Sequence, residues 1–215
     1  MSYFVFKIQS PCADCGETIV LGGPLREVTC GACSSRLEIE PALWQSMLGL
    51  YTAAHEFALV EGKTRGSALS QGELRFLIRW GPERPHCPSC KALLSADAVP
   101  SGGVGTLSCT GCGFKVPSFP PPPWLAAVAP KARQLFAAQS EAGELPGATP
   151  IAPAEGARPI SFACPQCGAN LKATSESKRI FTCSYCDTDS FLPEALWRAL
   201  HPVQKRRSWW VRFDE

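Results

Sequence analysis

Six Cys-x-x-Cys pairs carry the chemistry of this 215-residue chain, and together they use all 12 of its cysteines. Fourteen residues separate the pair Cys12 and Cys15 from Cys30 and Cys33. Eighteen separate Cys87 and Cys90 from Cys109 and Cys112, and fifteen separate Cys164 and Cys167 from Cys183 and Cys186. A Cys-x-x-Cys turn can place two sulfurs on one ion at about 2.3 Å, and two such turns complete a tetrahedron. Gly168 follows the first pair of the third set, where backbone N–H groups turn toward the thiolates and a positive φ costs glycine little. The expectation is three four-cysteine metal sites with no cysteine left over.

The paired spacing resembles that of tandem zinc-ribbon proteins. That resemblance implies three zinc ions, one per set, held by knuckles at the ends of a β-hairpin. It covers the ribbons and their flanks and implies no single biological task, because zinc ribbons serve many functions. Four thiolates close the coordination shell, so a structural rather than a catalytic role is expected. Iron is the alternative metal, since the knuckles also resemble those of rubredoxin. A thioredoxin-like redox role would need a flanking βαβ pattern, which the sequence lacks.

The elements that must position these cysteines also repeat. An extended stretch precedes each set: Tyr3–Ile8, Arg75–Trp80 and Pro159–Ala163. An aromatic follows each set by eleven or twelve residues, at Trp44, Trp124 and Trp197, twice within an Ala-Leu-Trp triplet. The fold class expected is therefore α+β: small metal-bound modules, three zinc-ribbon β-hairpin units each followed by a Trp-bearing helical segment. Residues 1–60 form ribbon one and an amphipathic helix starting at Pro41 and running to about residue 60, with Leu43, Met47, Leu50, Ala54 and Phe57 on one stripe. Residues 61–74 read as a polar loop and 75–119 as a strand and ribbon two. Residues 120–142 start in four prolines and continue as a helix broken near Pro130. Residues 143–158, rich in Gly, Pro and Ala, form a flexible linker, and 159–215 hold ribbon three, a short helix and a C-terminal strand that could pair with an earlier one such as Arg75–Trp80. In ribbon one, Ile19–Leu21 turns through Gly22-Gly23-Pro24 and returns at Val28.

Charge argues against a general polyanion binder. The formal net charge is +2 with neutral cysteines. A zinc ion with four thiolates carries −2, so three loaded sites bring the chain to about −4. Phosphate backbones are held by Lys and Arg in excess, which the chain as a whole does not supply. One basic–aromatic patch is local: Lys205, Arg206, Arg207, Trp209, Trp210 and Arg212. Adjacent Trp209 and Trp210 on a strand point to opposite faces, so one is expected buried and the other exposed or covered by a partner.

Residues 1–12 lack the charged and apolar runs of a signal peptide, and no stretch has the length of a membrane span. A reducing cytoplasm, in a bacterium given the Arg, Ala, Gly and Pro usage, is the expected setting. The histidines are His55, His86 and His201. His86 adjoins a set already complete, and His55 is expected to pack within the first helix. No nucleophile–base order, carboxylate pair or phosphate loop can be assembled, so no catalytic residue is assigned. The function expected is a non-catalytic adaptor or scaffold with a protein partner and no membrane. A transcription-related nucleic-acid regulator using ribbon three and the basic tail is the alternative, and an accessory subunit of an enzyme would look the same in sequence.

Overall fold

The computed structural model describes residues 2–140, 160–174, 177–193, 196–197, 200 and 208–214. In chain order these form β1 (Ser2–Pro11), β2 (Thr18–Leu21), β3 (Glu27–Thr29), β4 (Arg36–Glu38), α1 (Pro41–Gly49), β5 (Arg65–Gln71) and β6 (Leu74–Pro82). They continue with β7 (Gly105–Ser108), β8 (Lys115–Phe119), α2 (Pro123–Val128), β9 (Ala132–Phe136), β10 (Ile160–Ala163), β11 (Asn170–Ala173), β12 (Ile180–Thr182), β13 (Asp189–Phe191) and β14 (Trp209–Phe213). The expected linker 143–158, Lys205–Arg207 and His201 lie outside the described residues.

Each of the three cysteine sets runs through a leading strand, two cysteine hairpins and a trailing strand, with a helix before the trailing strand in the first two. The trailing strands β5, β9 and β14 all enter one antiparallel sheet of eight strands, ordered β5-β6-β1-β14-β9-β8-β7, with β2 also on β1. β1 pairs with β6 along one side, while β14 and then β2 follow one another along the other. The strand after the last metal set thus lies between the first strand of the chain and the strand after the second set. Its expected partner Arg75–Trp80 lies in β6, one strand further away.

Alternation on these strands explains the two-sided core. Phe4, Phe6 and Ile8 of β1, Phe76, Ile78 and Trp80 of β6, and Trp209, Val211 and Phe213 of β14 face one way into the main cluster. α1 covers them with Leu43, Trp44, Met47 and Leu48, and Leu125 of α2 joins them. Rings pack closely here: Phe6 stacks on Trp209 at 5.3 Å and Tyr51 on Phe213 at 4.0 Å. On the other face, Tyr3, Val5, Phe136 and Trp210 form a smaller cluster with Ala96 of unit two. Burying one such side chain contributes about 1.5–3 kcal/mol, so a strand buried on both faces is a large share of the fold.

Several expected elements differ. The first helix stops at Gly49 and tightens to a 3₁₀ turn over Leu50–Ala54, where Thr52 Oγ1 donates to the Gly49 carbonyl at 2.8 Å. Phe57, expected on the buried stripe, and His55, expected to pack, are both exposed as a result. The expected loop 61–74 contains β5, whose Gly, Ala and Ser residues carry little strand signal and which forms because β6 lies beside it. The expected broken helix 124–142 is α2 up to Val128 followed by β9, since proline at 130 cannot continue the helix and Leu135 and Phe136 then fill opposite faces of the sheet. Trp124 lies in the first turn of α2 and is half-buried, whereas Trp44 and Trp197 are buried.

Candidate metal centres

Each Cys-x-x-Cys is the tip of its own small hairpin, built six times on one plan. If the first cysteine is position i, its N–H donates to the carbonyl of i+5 and its carbonyl accepts from the N–H of i+4. Cys12 bonds Glu17 and Gly16 at 2.8 and 2.9 Å, and Cys183 bonds Thr188 and Asp187 at 3.0 and 2.9 Å. The other four tips repeat this at Cys30, Cys87, Cys109 and Cys164. The flanking strands pair in one register, i−1 with i+6: Pro11 with Thr18, Thr29 with Arg36, His86 with Leu93, Ser108 with Lys115, Ala163 with Asn170, Thr182 with Asp189. This corrects the expected hairpin between the knuckles of ribbon one. Ile19–Leu21 pairs back onto β1 and Val28 onward onto β4, because the tip hydrogen bonds fix each turn locally.

Position i+4 needs a left-handed backbone. Gly16, Gly113 and Gly168 supply it at φ +71°, +73° and +71°, whereas Ser34, Lys91 and Asp187 adopt +63°, +65° and +52°. A non-glycine residue pays about 1–2 kcal/mol for that conformation, so the tip geometry is imposed on three of the six sequences rather than preferred by them.

Within each set all four sulfurs lie within 4.8 Å of one another. Close contacts between the tips cross from the first cysteine of one to the second of the other. They are Cys12–Cys33 at 3.6 Å, Cys15–Cys30 at 3.7, Cys87–Cys112 at 3.6, Cys90–Cys109 at 3.5, Cys164–Cys186 at 3.9 and Cys167–Cys183 at 3.8 Å. A disulfide would require about 2.05 Å. A tetrahedron with metal–sulfur bonds of about 2.3 Å has edges of roughly 3.8 Å. The three sets therefore fit three metal ions, one each. In every set the first cysteine of each tip is buried and the second is turned outward, partly or fully exposed.

The thiols are prepared unequally for losing their protons. Burial opposes ionisation of Cys12, but the Ser35 hydroxyl and the N–H groups of Cys15 and Asp14 outweigh it and bring the thiol to about 6. The Gly111 N–H is the main cause of lowering Cys109 to about 7, and Thr188 does the same for Cys186, also to about 7. Cys90 rises to about 12 although the Ala92 N–H pulls the other way, because Cys112 and Cys109 crowd it. Cys167 is likewise raised to about 12, against the pull of the Ala169 N–H, by burial and its three partner sulfurs. One thiolate in a set thus discourages the next, and a divalent cation at the centre removes that opposition.

Two polar neighbours escaped the sequence reading. Ser35 lies 3.1 Å from the Cys12 sulfur and 3.2 Å from that of Cys33. Thr188 occupies the same place after Cys186, so the signal was a hydroxyl two residues beyond the last cysteine, replaced by Phe114 in unit two. His86 is no part of the sulfur cluster. It pairs as a bridge with Leu93, and its nearest charge is Glu83 at 3.6 Å.

The basic–aromatic patch is not assembled on the surface. Trp209 and Trp210 are both buried, at 0% and 3% exposure, so the chain itself covers both faces. Trp209 donates to the Leu21 carbonyl at 3.2 Å. Arg212 is buried too and donates to the Val99 carbonyl and the Ser101 hydroxyl, both at 2.8 Å. Beside it the Tyr3 hydroxyl donates to Asp97 at 2.8 Å, and Asp97 pairs with Arg84. Arg212 therefore fastens unit two beneath the sheet and is not free to meet phosphate.

Unit three docks on unit one through Arg179. Its N–H donates to the Ala32 carbonyl at 2.8 Å, its guanidinium pairs with Glu17, and the same group stands 5.9 Å from the Trp197 ring. No helix among the described residues is long and apolar enough to cross a membrane. No protein-family model, curated protein or solved structure matches this chain.

Proposed function

We propose that the three sets hold zinc as zinc ribbons, and that the protein is a non-catalytic adaptor for protein–protein interactions in a reducing cytoplasm. Four soft thiolates at tetrahedral spacing suit zinc, and closed coordination suits a structural ion. The observation that carries the adaptor reading is the position of the clusters. All three sit at hairpin tips, and the strands that trail them, β5, β9 and β14, enter a single sheet whose β5 edge has no further strand beside it among the described residues. Metal there staples a platform rather than lining a cleft.

Two measurements test this. Elemental analysis of protein made in zinc-supplemented minimal medium should give close to three zinc ions per chain. Iron, or fewer than two metals, would overturn the zinc assignment. The untagged chain should co-purify with a protein and show no retention on random duplex DNA at physiological salt. A tight DNA complex lost on mutating Lys205, Arg206 and Arg207 to alanine would establish the nucleic-acid regulator instead.

A further inference from the structure

The β5–β6 hairpin is an unusual sheet edge. β5 pairs with β6 alone, so among the described residues its outer backbone groups have no strand beside them. Edges of this kind are commonly guarded by lysine, proline or a bulge. Here the outer strand runs Gly-Ser-Ala-Leu-Ser-Gln after Arg65, in unbroken register with β6 over seven residue pairs.

The face of the hairpin turned away from the main core is basic and unpaired. Arg75, Leu77 and Arg79 of β6 are exposed on it, and Lys7 and Gln9 of β1 lie alongside. Lys7 stands directly opposite Arg79 in the register, a like-charge pair that costs stability wherever nothing negative lies between. None of Lys7, Arg75 and Arg79 has an ion pair among the described residues. Residues 63–82 hold Lys63, Arg65, Arg75 and Arg79 against a single acid, Glu73 at the turn. Over this face lies a concavity of about 480 Å³, lined in part by Lys7, Gly66, Ala68, Leu77 and Arg79.

The side chains of β5 on this face are Gly66, Ala68 and Ser70, opposite Arg79, Leu77 and Arg75 in turn. They are too small to screen the arginines from a further strand. A chain added to the edge would lie two strand spacings, roughly 10 Å, from β6. An arginine and a glutamate side chain together cover that span.

We propose that β5 accepts an extended acidic segment of a partner protein by strand addition, with carboxylates reaching Arg75 and Arg79 across the small residues of β5. This rests on the adaptor reading and names the chemistry of its partner. Main-chain pairing supplies affinity in this mode, and the alternate side chains supply selectivity. Single-stranded nucleic acid is disfavoured because the face carries Leu77 and Val20 but no aromatic ring on which bases could stack. A second copy is disfavoured because β5-to-β5 pairing would set two basic faces side by side.

The probe is a fluorescein-labelled seven-residue peptide alternating glutamate with valine, titrated against the full metal-loaded chain by anisotropy. Saturable binding is expected. It should weaken by at least about tenfold in the R75Q/R79Q double variant. It should weaken similarly when alternate peptide nitrogens are methylated, with metal content unchanged and Tm not lowered by the protein substitutions. The inference is overturned by no saturable binding, by equal binding to R75Q/R79Q, by tighter binding of a uridine oligonucleotide, or by a solution dimer that A68P disrupts. If the peptide fails while a protein still co-purifies with R75Q/R79Q, the adaptor reading stands without this edge. If nucleic acid alone co-purifies, the adaptor reading itself falls.

Discussion

β14 and β5 belong to one sheet and have exchanged the roles their compositions suggest. β14, Trp-Trp-Val-Arg-Phe, looks like a surface that grips a ligand, yet all five residues are buried and it pairs on both sides. β5, Arg-Gly-Ser-Ala-Leu-Ser-Gln, looks like a loop, yet it is the rim of the sheet, with no strand on its outer side among the described residues. Large apolar side chains lose most by staying wet, so they are drawn to the sheet centre even when arginine travels with them. Small polar residues lose little and are left at the edge. In the proposed mode of binding, capacity follows unpaired backbone and unpaired charge rather than aromatic content.

Removing the metals should have the largest effect and should erase the comparison altogether. β1, the direct neighbour of β14, ends in the first cysteine tip, and the units that carry β9 and β14 are closed by their own clusters. A strong chelator should release the ions with loss of near-UV circular dichroism and of cooperative unfolding, because metal binding free energy is folding free energy in modules of this size. A native spectrum after complete metal loss would show that the sheet stands on its core alone.

Truncating β14 comes next. Trp209→Ala should cost about 3–5 kcal/mol in denaturant unfolding, because the indole touches Phe6 and Trp44 at the centre of the main cluster. Arg212→Met should cost about 1–3 kcal/mol by removing the bonds that the buried guanidinium gives to the half-buried Val99 carbonyl and the exposed Ser101 hydroxyl. A loss confined to ligand binding, with stability intact, would return both residues to the surface role that their composition suggests.

The smallest effects belong to the rim. Ala68→Lys and Arg79→Gln should each change stability by no more than about 0.5 kcal/mol. Arg79→Gln should move it upward, since it relieves the repulsion with Lys7. A large destabilisation by Ala68→Lys would mean that β5 is a structural strand like β14 rather than an open one.

The metal-binding pattern was legible in the chain because it is local. Cys-x-x-Cys sets its own turn through hydrogen bonds spanning four and five residues, so the twelve sulfurs could be grouped in three sets of four before any fold was known. The leading strands Tyr3–Ile8 and Arg75–Trp80 were legible for a similar reason, as the alternation of their apolar residues survives in any sheet. Which strands meet was not. β5 has no strand signal of its own, Leu135 and Phe136 follow a proline that could have merely kinked a helix, and Trp210 alternates correctly but does not say what covers it. Those outcomes depend on which surfaces are brought together from distant parts of the chain: Tyr3, Ala96 and Phe136 gather around Trp210, and β6 lies beside β5. By itself the sequence determined where the sulfurs converge, through short-range backbone bonding. Only the tertiary structure decided that three stapled units share one sheet, because burial of β14 on both faces is satisfied by no single unit.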